Sequence, residues 1–239
     1  MKKNSEICLA LDTALEACSV ALAIRDKDEL LTFGRSLALG RGHAEHLMNE
    51  LETLLDEAEI GYDQLDRIAV TIGPGSFTGL RVGLATARAL GLALDIPVIG
   101  ASSLLALALS AWKEGHRGTV ASFIDARRGQ IYGQFFSLAD ERSGIESLSE
   151  ACAKSADAFA QDCLDATQLR LIGSGSELVL GSEKAGPLAQ QQIIMTRYPD
   201  MEQLAVWALD QTAPLRPPSP LYLRDPDAKP QASKAIARL

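Results

Sequence analysis

Residues 69–94 carry the sequence feature that most constrains the fold, a strand followed by a tight turn and a long helix. The run 68–72 is short, apolar and rich in β-branched residues, which predicts a buried strand. The Gly-Pro-Gly sequence at 73–75 cannot continue that strand and predicts a tight turn. Thr78 then predicts the N-cap of a helix, because an apolar-rich run follows it. A unit of this kind indicates an α/β fold.

Small residues recur at every fourth position of this predicted helix, at Gly79, Gly83, Ala87 and Gly91. Residues four apart share one helix face, and each interior glycine costs roughly 1 kcal/mol relative to alanine. A flat face of this kind favours packing inside the chain, contact with a second protein chain, or an anion site at the helix N-terminus. A P-loop lysine is absent, and Pro74 replaces the first glycine of a nucleophile elbow around Ser76. We therefore interpret Ser76 as a turn residue.

Composition excludes several classes of protein. A chain of 239 residues accommodates one large domain or two small ones. Its net charge of −8 argues against this chain binding nucleic acid without a partner. The four cysteines lack C-x-x-C spacing and predict free thiols in a reducing cytosol. Charged residues interrupt the apolar start of the chain, and the charge-free run 96–112 is shorter than the ~20 residues of a membrane helix. We expect a cytoplasmic protein without a membrane segment.

The two halves of the chain begin alike. Residues 9–14 read Leu-Ala-Leu-Asp-Thr-Ala and residues 122–127 read Ser-Phe-Ile-Asp-Ala-Arg, so each half opens with a strand, an aspartate, a turn and a returning strand. This repeat predicts a duplicated fold with a cleft between its halves. We expect one subdomain at 1–100, a second at 101–212, and a proline-rich linker, a final strand and a basic tail within 213–239.

The predicted strands are 7–12, 18–24, 30–39, 68–72, 97–100, 119–125, 130–137, 169–173, 193–195 and 221–224. The predicted helices are 43–58, 78–94, 103–112 and 200–211, with Asp200 as an N-cap, and residues 144–167 are expected to form loop and helix.

The predicted helix 43–58 is amphipathic. Its apolar stripe consists of Ala44, Leu47, Met48, Leu51, Leu54, Leu55 and Ala58. His43 and His46 are three residues apart at its start and, with Glu50, have side chains that can ligate a metal. An exposed helix start is the favoured interpretation, and no metal site is assigned.

Asp12 and Asp125 each end the first strand of their half. Carboxylates that face one cleft can hold Mg²⁺ and nucleotide phosphates, so these two define a possible nucleotide cleft together with Thr13, Arg127 and Arg128. We favour the interpretation that each aspartate caps its own turn, because no phosphate loop accompanies the pair. The two arginines fit equally well a solvated hairpin tip or a site for phosphate or an acidic partner.

Several segments together resemble the bacterial TsaB (YeaZ-like) family. They are residues 9–14, His-Ala-Glu-His-Leu-Met at 43–48, 71–83, 124–132 and 220–229. The most specific parts are Gly-Pro-Gly-Ser-Phe-Thr-Gly-Leu-Arg and Asp-Ala-Arg-Arg-Gly, and the least recognisable part is 138–192. The resemblance implies a duplicated actin-like α/β fold (sugar-kinase/Hsp70-like, ribonuclease H-like) with mixed sheets in two subdomains.

The resemblance also implies a function. In that family the protein is a non-catalytic partner in making threonylcarbamoyladenosine beside the anticodon of tRNAs, and its paralogue TsaD completes the transfer with the ATPase TsaE. It implies no cofactor of the chain's own, because ATP and Mg are used by the complex, and tRNA is contacted only through the complex. The metal-binding His-x-x-x-His of the paralogue differs in spacing from His43 and His46, so metal binding is not carried over.

Family members pair through the two helices of the first subdomain, as homodimers or with TsaD. This implies a partner interface on helices 43–58 and 78–94, formed by Ala44, Leu47, Met48, Leu51, Gly79, Val82, Gly83, Thr86, Ala87 and Gly91. On this interpretation, Gly83→Leu abolishes association and leaves the isolated chain folded. The alternatives are a stand-alone Mg-ATP-dependent enzyme of the actin/sugar-kinase type using Asp12 and Asp125, and, more weakly, a peptidase, for which no nucleophile–base pair is present.

Overall fold

The computed structural model describes residues 5–39, 42–141, 144–164, 166–188, 193–194 and 196–224. The strands are β1 (Ser5–Asp12), β2 (Ala17–Asp26), β3 (Glu29–Ala38), β4 (Arg67–Thr71), β5 (Val98–Ala101), β6 (Gly118–Arg127), β7 (Gln130–Leu138), β8 (Ile145–Ser147), β9 (Cys152–Lys154), β10 (Arg170–Ile172) and β11 (Ile193–Ile194). The helices are α1 (His43–Glu57), α2 (Phe77–Leu94), α3 (Ser103–Lys113), α4 (Ala156–Cys163), α5 (Ser176–Leu180) and α6 (Met201–Leu209).

The predicted elements agree with the observed ones to within two residues at each described end, apart from the last strand. Residues 221–224 form no strand, and the backbone N–H of Leu221 instead donates a hydrogen bond of 2.7 Å to the carbonyl of Ile72. The segment 144–167 contains β8 and β9 as well as the expected helix. The predicted basic tail beyond residue 224 and residue 195 of a predicted strand lie outside the described residues.

The two sheets have the same strand order. The first is β3-β2-β1-β4-β5, and the second is β8-β7-β6-β10-β11, with β9 also pairing with β7. In each sheet the first three strands of this order form an antiparallel meander. The last two strands run parallel to the central one, which is β1 in the first sheet and β6 in the second. The repeated order and direction confirm the predicted duplication. Two such ribonuclease H-like sheets, with helices on them, form the actin-like fold.

Strand β1 is buried on both faces because helices cover both sides of the first sheet. Successive side chains of a strand point to opposite faces. Ile7, Leu9 and Leu11 therefore pack in the apolar cluster that includes leucines of α1 and α2, whereas Cys8 and Ala10 pack in a second cluster with α6. The small side chains on the second face let α6 lie close to the strand backbone. Although α6 falls within the predicted second subdomain, it packs on the first sheet.

The glycine face of α2 also packs on the chain's own first sheet. A Cβ atom on Gly79 would lie 1.9 Å from the carbonyl oxygen of Thr13, and one on Gly83 would lie 2.6 Å from the Thr13 hydroxyl. A Cβ atom on Gly91 would lie 2.4 Å from a methyl group of Val98. Of the three explanations for the small-residue face, packing inside the chain is the one observed.

This packing corrects much of the predicted partner interface. Six of its ten residues lie in the interior, so assigning them to a partner surface was wrong: Leu47, Leu51, Gly79, Gly83, Ala87 and Gly91. Periodicity correctly grouped them on shared helix faces, but those faces point to the sheet. A leucine at position 83 would displace Thr13, so Gly83→Leu is not a test of docking that leaves the fold intact.

Helix α2 is long enough and apolar enough to cross a membrane by length and composition alone. A third of it is buried, however, on the face that packs against β1, β4 and β5. In this structure that face of α2 packs on the first sheet, and its opposite side is exposed.

We expect Gly79→Ala to lower the free energy of unfolding by about 1–3 kcal/mol, because the added methyl group collides with the Thr13 carbonyl in a close-packed site. Gly186→Ala is the matched control, since a Cβ atom there meets no atom within 4 Å. Urea unfolding followed by circular dichroism measures both variants. Equal unfolding midpoints for the two would contradict the packing described for α2.

Candidate functional site

A cleft of about 890 Å³ opens between the turns of the two halves. Its polar lining residues are Glu16, Ser76, Asp125, Arg127, Tyr132, Ser174, Glu177, Thr196, Arg197 and Tyr198. They come from separate segments of both halves, and of them Ser76, Asp125, Arg127 and Tyr132 lie in segments that the sequence analysis identified. The volume is in the range of small-molecule sites.

Equivalent loops of the two halves meet at this cleft. The loop after β4 reads Gly-Pro-Gly-Ser at 73–76, and the loop after β10 reads Gly-Ser-Gly-Ser at 173–176. Each loop is hydrogen-bonded to its own half: the Ser76 N–H donates to the Ala14 carbonyl at 2.7 Å, and the Gly175 N–H donates to the Phe123 carbonyl at 3.0 Å. These two amides are therefore engaged within the protein and do not point at a phosphate.

Asp12 lies beneath the cleft and not in its wall. The side chain is fully buried, and one carboxylate oxygen accepts hydrogen bonds from the Ala14 N–H at 3.1 Å and from the Thr71 hydroxyl. Its other oxygen is buried without a hydrogen-bond partner among the described residues. Burial raises the pKa of the Asp12 carboxyl above its ordinary value, although the two hydrogen bonds oppose that effect. Asp12 thus caps its own turn, as the favoured interpretation proposed.

Asp125, in contrast, is half-buried and lines the cleft. Its carboxylate accepts a 2.8 Å hydrogen bond from the Arg127 N–H, and its own N–H donates to the Ser174 hydroxyl at 3.1 Å. Because Asp12 is enclosed and Asp125 is not, the two carboxylates do not face one space, and they do not form the pair that a shared Mg²⁺ requires.

Of the other three residues of the predicted nucleotide cleft, Arg127 lines the cleft, whereas Thr13 and Arg128 do not. Thr13 is buried, and its hydroxyl donates to the Gly79 carbonyl at 2.7 Å, so it holds α2 and does not line the cleft. Arg127 reaches the cleft, where its guanidinium lies 2.6 Å from the Glu16 carboxylate of the other half. Arg128 lies exposed at the hairpin tip, outside the cleft lining.

The start of each first-half helix is fixed by a capping or loop contact. Ser76 is the N-cap of α2, where its side-chain oxygen accepts a hydrogen bond from the Gly79 N–H at 3.3 Å, so Thr78 as the N-cap was wrong. This contact gives Ser76 a structural role. The His43 Nε2 lies 2.8 Å from the Leu15 carbonyl. Across the described part of the chain, no group of three or more His, Cys, Asp and Glu side chains is arranged to hold a metal.

The outward sides of α1 and α2 are a second candidate site, which we call the outer helix face. Its large side chains are Met48, Phe77 and Leu92, exposed by 42%, 46% and 86%. Of the predicted interface residues, Ala44 is exposed, and Val82 and Thr86 are half-buried. Together with Met48, these are the predicted interface residues that retain surface for a partner. Large apolar side chains left exposed on these helices make this surface a candidate for contact with a partner.

Comparison with known proteins identifies relatives that match from about half to nine-tenths of the chain. Residues 38–174 match the family model described as "TsaD: tRNA N6-adenosine threonylcarbamoyltransferase". The chain is 28% identical over 225 residues to the tRNA threonylcarbamoyladenosine biosynthesis protein TsaB of Escherichia coli, an alignment that covers 91% of this chain and 94% of that protein. It is 40% identical over 124 residues to TsaB of Haemophilus influenzae, covering 52% of this chain and 51% of that one.

A solved structure from Pseudomonas aeruginosa has the same fold. It is described as an uncharacterized protein with similarity to peptidase YEAZ, and it superposes with a TM-score of 0.75 and 28% identity over 92% of this chain and 100% of that one.

We expect Asp12→Asn to change how stability depends on pH. A carboxyl whose pKa is raised in the folded state stabilises the fold below its unfolded pKa, and that contribution is lost as pH rises through the folded pKa. From about pH 4 upward, wild type should therefore lose stability relative to Asp12→Asn, at up to about 1.4 kcal/mol per pH unit. Urea unfolding at a series of pH values measures this difference.

Asp28→Asn, at an exposed position, is the control for loss of one negative charge. A difference between wild type and Asp12→Asn that does not vary with pH would show that Asp12 is not held as described.

Proposed function

Because the chain belongs to the TsaB (YeaZ-like) family, we propose that it serves tRNA threonylcarbamoyladenosine biosynthesis as a non-catalytic subunit that docks the catalytic paralogue TsaD. Its role in that biosynthesis follows from the family. The proposal adds that TsaD binds the outer helix face, that the ATPase TsaE joins the complex, and that the chain forms a homodimer when alone. ATP, Mg and tRNA are then handled by the complex in the cytoplasm.

The observation that carries the docking proposal is the outer helix face. Leu92 is almost fully exposed, and it follows the exposed Ala85 and Ala89 along the outward side of α2. These small side chains let a partner helix approach closely, and Leu92 and Met48 supply the apolar area that association removes from water. This outward side is opposite the glycine face, so docking leaves the contact with Thr13 intact.

The position of Asp12 supports a non-catalytic role. An enzyme of the actin/sugar-kinase type would need its strand-end carboxylates to reach Mg-ATP in the cleft, and Asp12 is enclosed by Thr71 and Ala14. The loop amides of Ser76 and Gly175 are likewise bonded to carbonyls of their own halves. For a peptidase, Ser76 would have to leave its place as the N-cap of α2.

We expect Leu92→Glu and Met48→Glu each to weaken association with TsaD by at least about tenfold, because a buried unpaired carboxylate replaces an apolar contact. Leu148→Glu is the matched control, since Leu148 is an exposed leucine of the second half. Analytical ultracentrifugation measures association, circular dichroism checks folding, and reconstitution with TsaD, TsaE, ATP and tRNA measures the modification. Wild-type association of both helix variants would refute docking on this face.

We expect the isolated chain to show no micromolar binding of Mg-ATP by calorimetry. The stand-alone enzyme alternative requires such binding, together with its loss in Asp125→Asn, because Asp125 is the strand-end carboxylate that lines the cleft. Tight binding that depends on Asp125 would favour the enzyme over the docking subunit.

A further inference from the structure

The hairpin at 125–129, which we call the clasp hairpin, has a constrained backbone. Arg127, Arg128 and Gly129 have φ angles of 63°, 55° and 75°, in the left-handed region that non-glycine residues rarely adopt. The Asp125 carboxylate holds the Arg127 N–H at 2.8 Å, and the register of β6 and β7 shifts at these two residues. This geometry fixes the direction in which the Arg127 side chain leaves the second half. Positive φ at both residues of a two-residue hairpin loop is ordinary, so Arg127, which pairs with Gln130 beside the loop, is the unusual left-handed residue.

Two contacts join the clasp hairpin to residues anchored on the first half. The Arg127 guanidinium lies 2.6 Å from the carboxylate of Glu16, in the turn between β1 and β2. The Arg224 guanidinium donates to the Ala126 carbonyl at 3.3 Å.

Arg224 belongs to the C-terminal strap, residues 214–224, which is fastened to the first half. The Leu221 N–H donates to the Ile72 carbonyl at 2.7 Å, and the Arg88 guanidinium of α2 donates to the Pro218 carbonyl at 3.0 Å. The ring of Tyr222 lies 5.4 Å from the ring of Phe77, a residue of the outer helix face. The strap therefore connects that face with the clasp hairpin.

The turn that carries Glu16 is bonded to both helices of the outer helix face. The Thr13 hydroxyl donates to the Gly79 carbonyl of α2 at 2.7 Å, and the Leu15 carbonyl lies 2.8 Å from the His43 ring of α1. These short hydrogen bonds connect the turn that carries Glu16 to the starts of α1 and α2.

We propose that the clasp hairpin holds the two halves closed over the cleft, and that this closure is coupled to docking on the outer helix face. The second part rests on the proposed function. Because coupling is reciprocal, a partner bound to α1 and α2 favours the closed form, and opening weakens its binding by the same factor. The side chains of Arg127 and Glu16 are 72% and 54% exposed. An ion pair so exposed changes the ratio of open to closed forms by about fivefold at most, which suits a reversible contact.

The first test measures the separation of the halves in the full-length chain. Spin labels are placed by Asp28→Cys and Gln161→Cys, at exposed positions on the first and second halves, in a Cys152→Ala background because the other three cysteines are buried. Double electron–electron resonance spectroscopy then gives the distribution of distances between the two labels. Glu16→Lys should shift population to a different distance, and the swap Glu16→Lys with Arg127→Glu should restore the parent distribution.

Glu59→Lys, an equal charge change at an exposed position on the first half, should leave the distribution unchanged. A parent-like distribution in Glu16→Lys, or a swap that does not restore it, would overturn the clasp. This result is obtained without TsaD, with labelled chain diluted into unlabelled chain so that distances between two copies do not contribute, and it stands whether or not TsaD binds.

The second test measures the affinity of the same variants for TsaD. Glu16→Lys should bind about two- to fivefold more weakly than the parent, and both the swap and Glu59→Lys should bind like the parent. An altered distance distribution with unchanged affinity would overturn the coupling. If the parent chain itself does not bind TsaD, the proposed function fails, and the distance measurement alone decides the clasp.

Discussion

The close contact between α2 and the turn after β1 determines the arrangement around it. The Thr13 carbonyl and hydroxyl occupy the space that side chains at positions 79 and 83 would need. Glycines in a helix interior cost roughly 1 kcal/mol each, and the close approach that they permit offsets this by letting the Thr13 hydroxyl bond the helix backbone. The contact fixes which side of α2 faces outward. It also fixes the turn that forms one wall of the cleft.

The two halves share a strand order but differ in the length of the helix after the equivalent loops. In the first half the Gly-Pro-Gly-Ser loop leads into the 18-residue α2, whereas in the second half the Gly-Ser-Gly-Ser loop leads into the five-residue α5. The duplicated sheet is therefore a common scaffold. Its first copy presents a long helix with an apolar outer side, and its second copy supplies the clasp hairpin and most of the cleft lining. This asymmetry leaves a long helix with an exposed outer side on one half alone among the described residues.

Sequence patterns predicted the secondary-structure elements and the duplication of the fold, but not which individual side chains are buried. The period of α2 grouped its small residues correctly, yet such a face suits the chain's own sheet as well as a foreign helix, and only tertiary structure decides between them. Asp12 and Asp125 lie at or near the ends of equivalent strands, but the first is enclosed by Thr71 and the second borders the cleft. Cleft residues such as Glu177 and Tyr198 come from distant segments without a shared motif, so no sequence signal joined them.

The return of α6 to the first sheet has a consequence for how the chain acquires its structure during synthesis. The face of β1 and β2 that carries Cys8, Ala10, Ala21 and Ala23 remains uncovered until residues 201–209 have left the ribosome. The N-terminal half therefore cannot complete its interior as an independent co-translational unit. Contacts that join such distant parts of a sequence form slowly, so the nascent polypeptide exposes this apolar strip through most of its elongation.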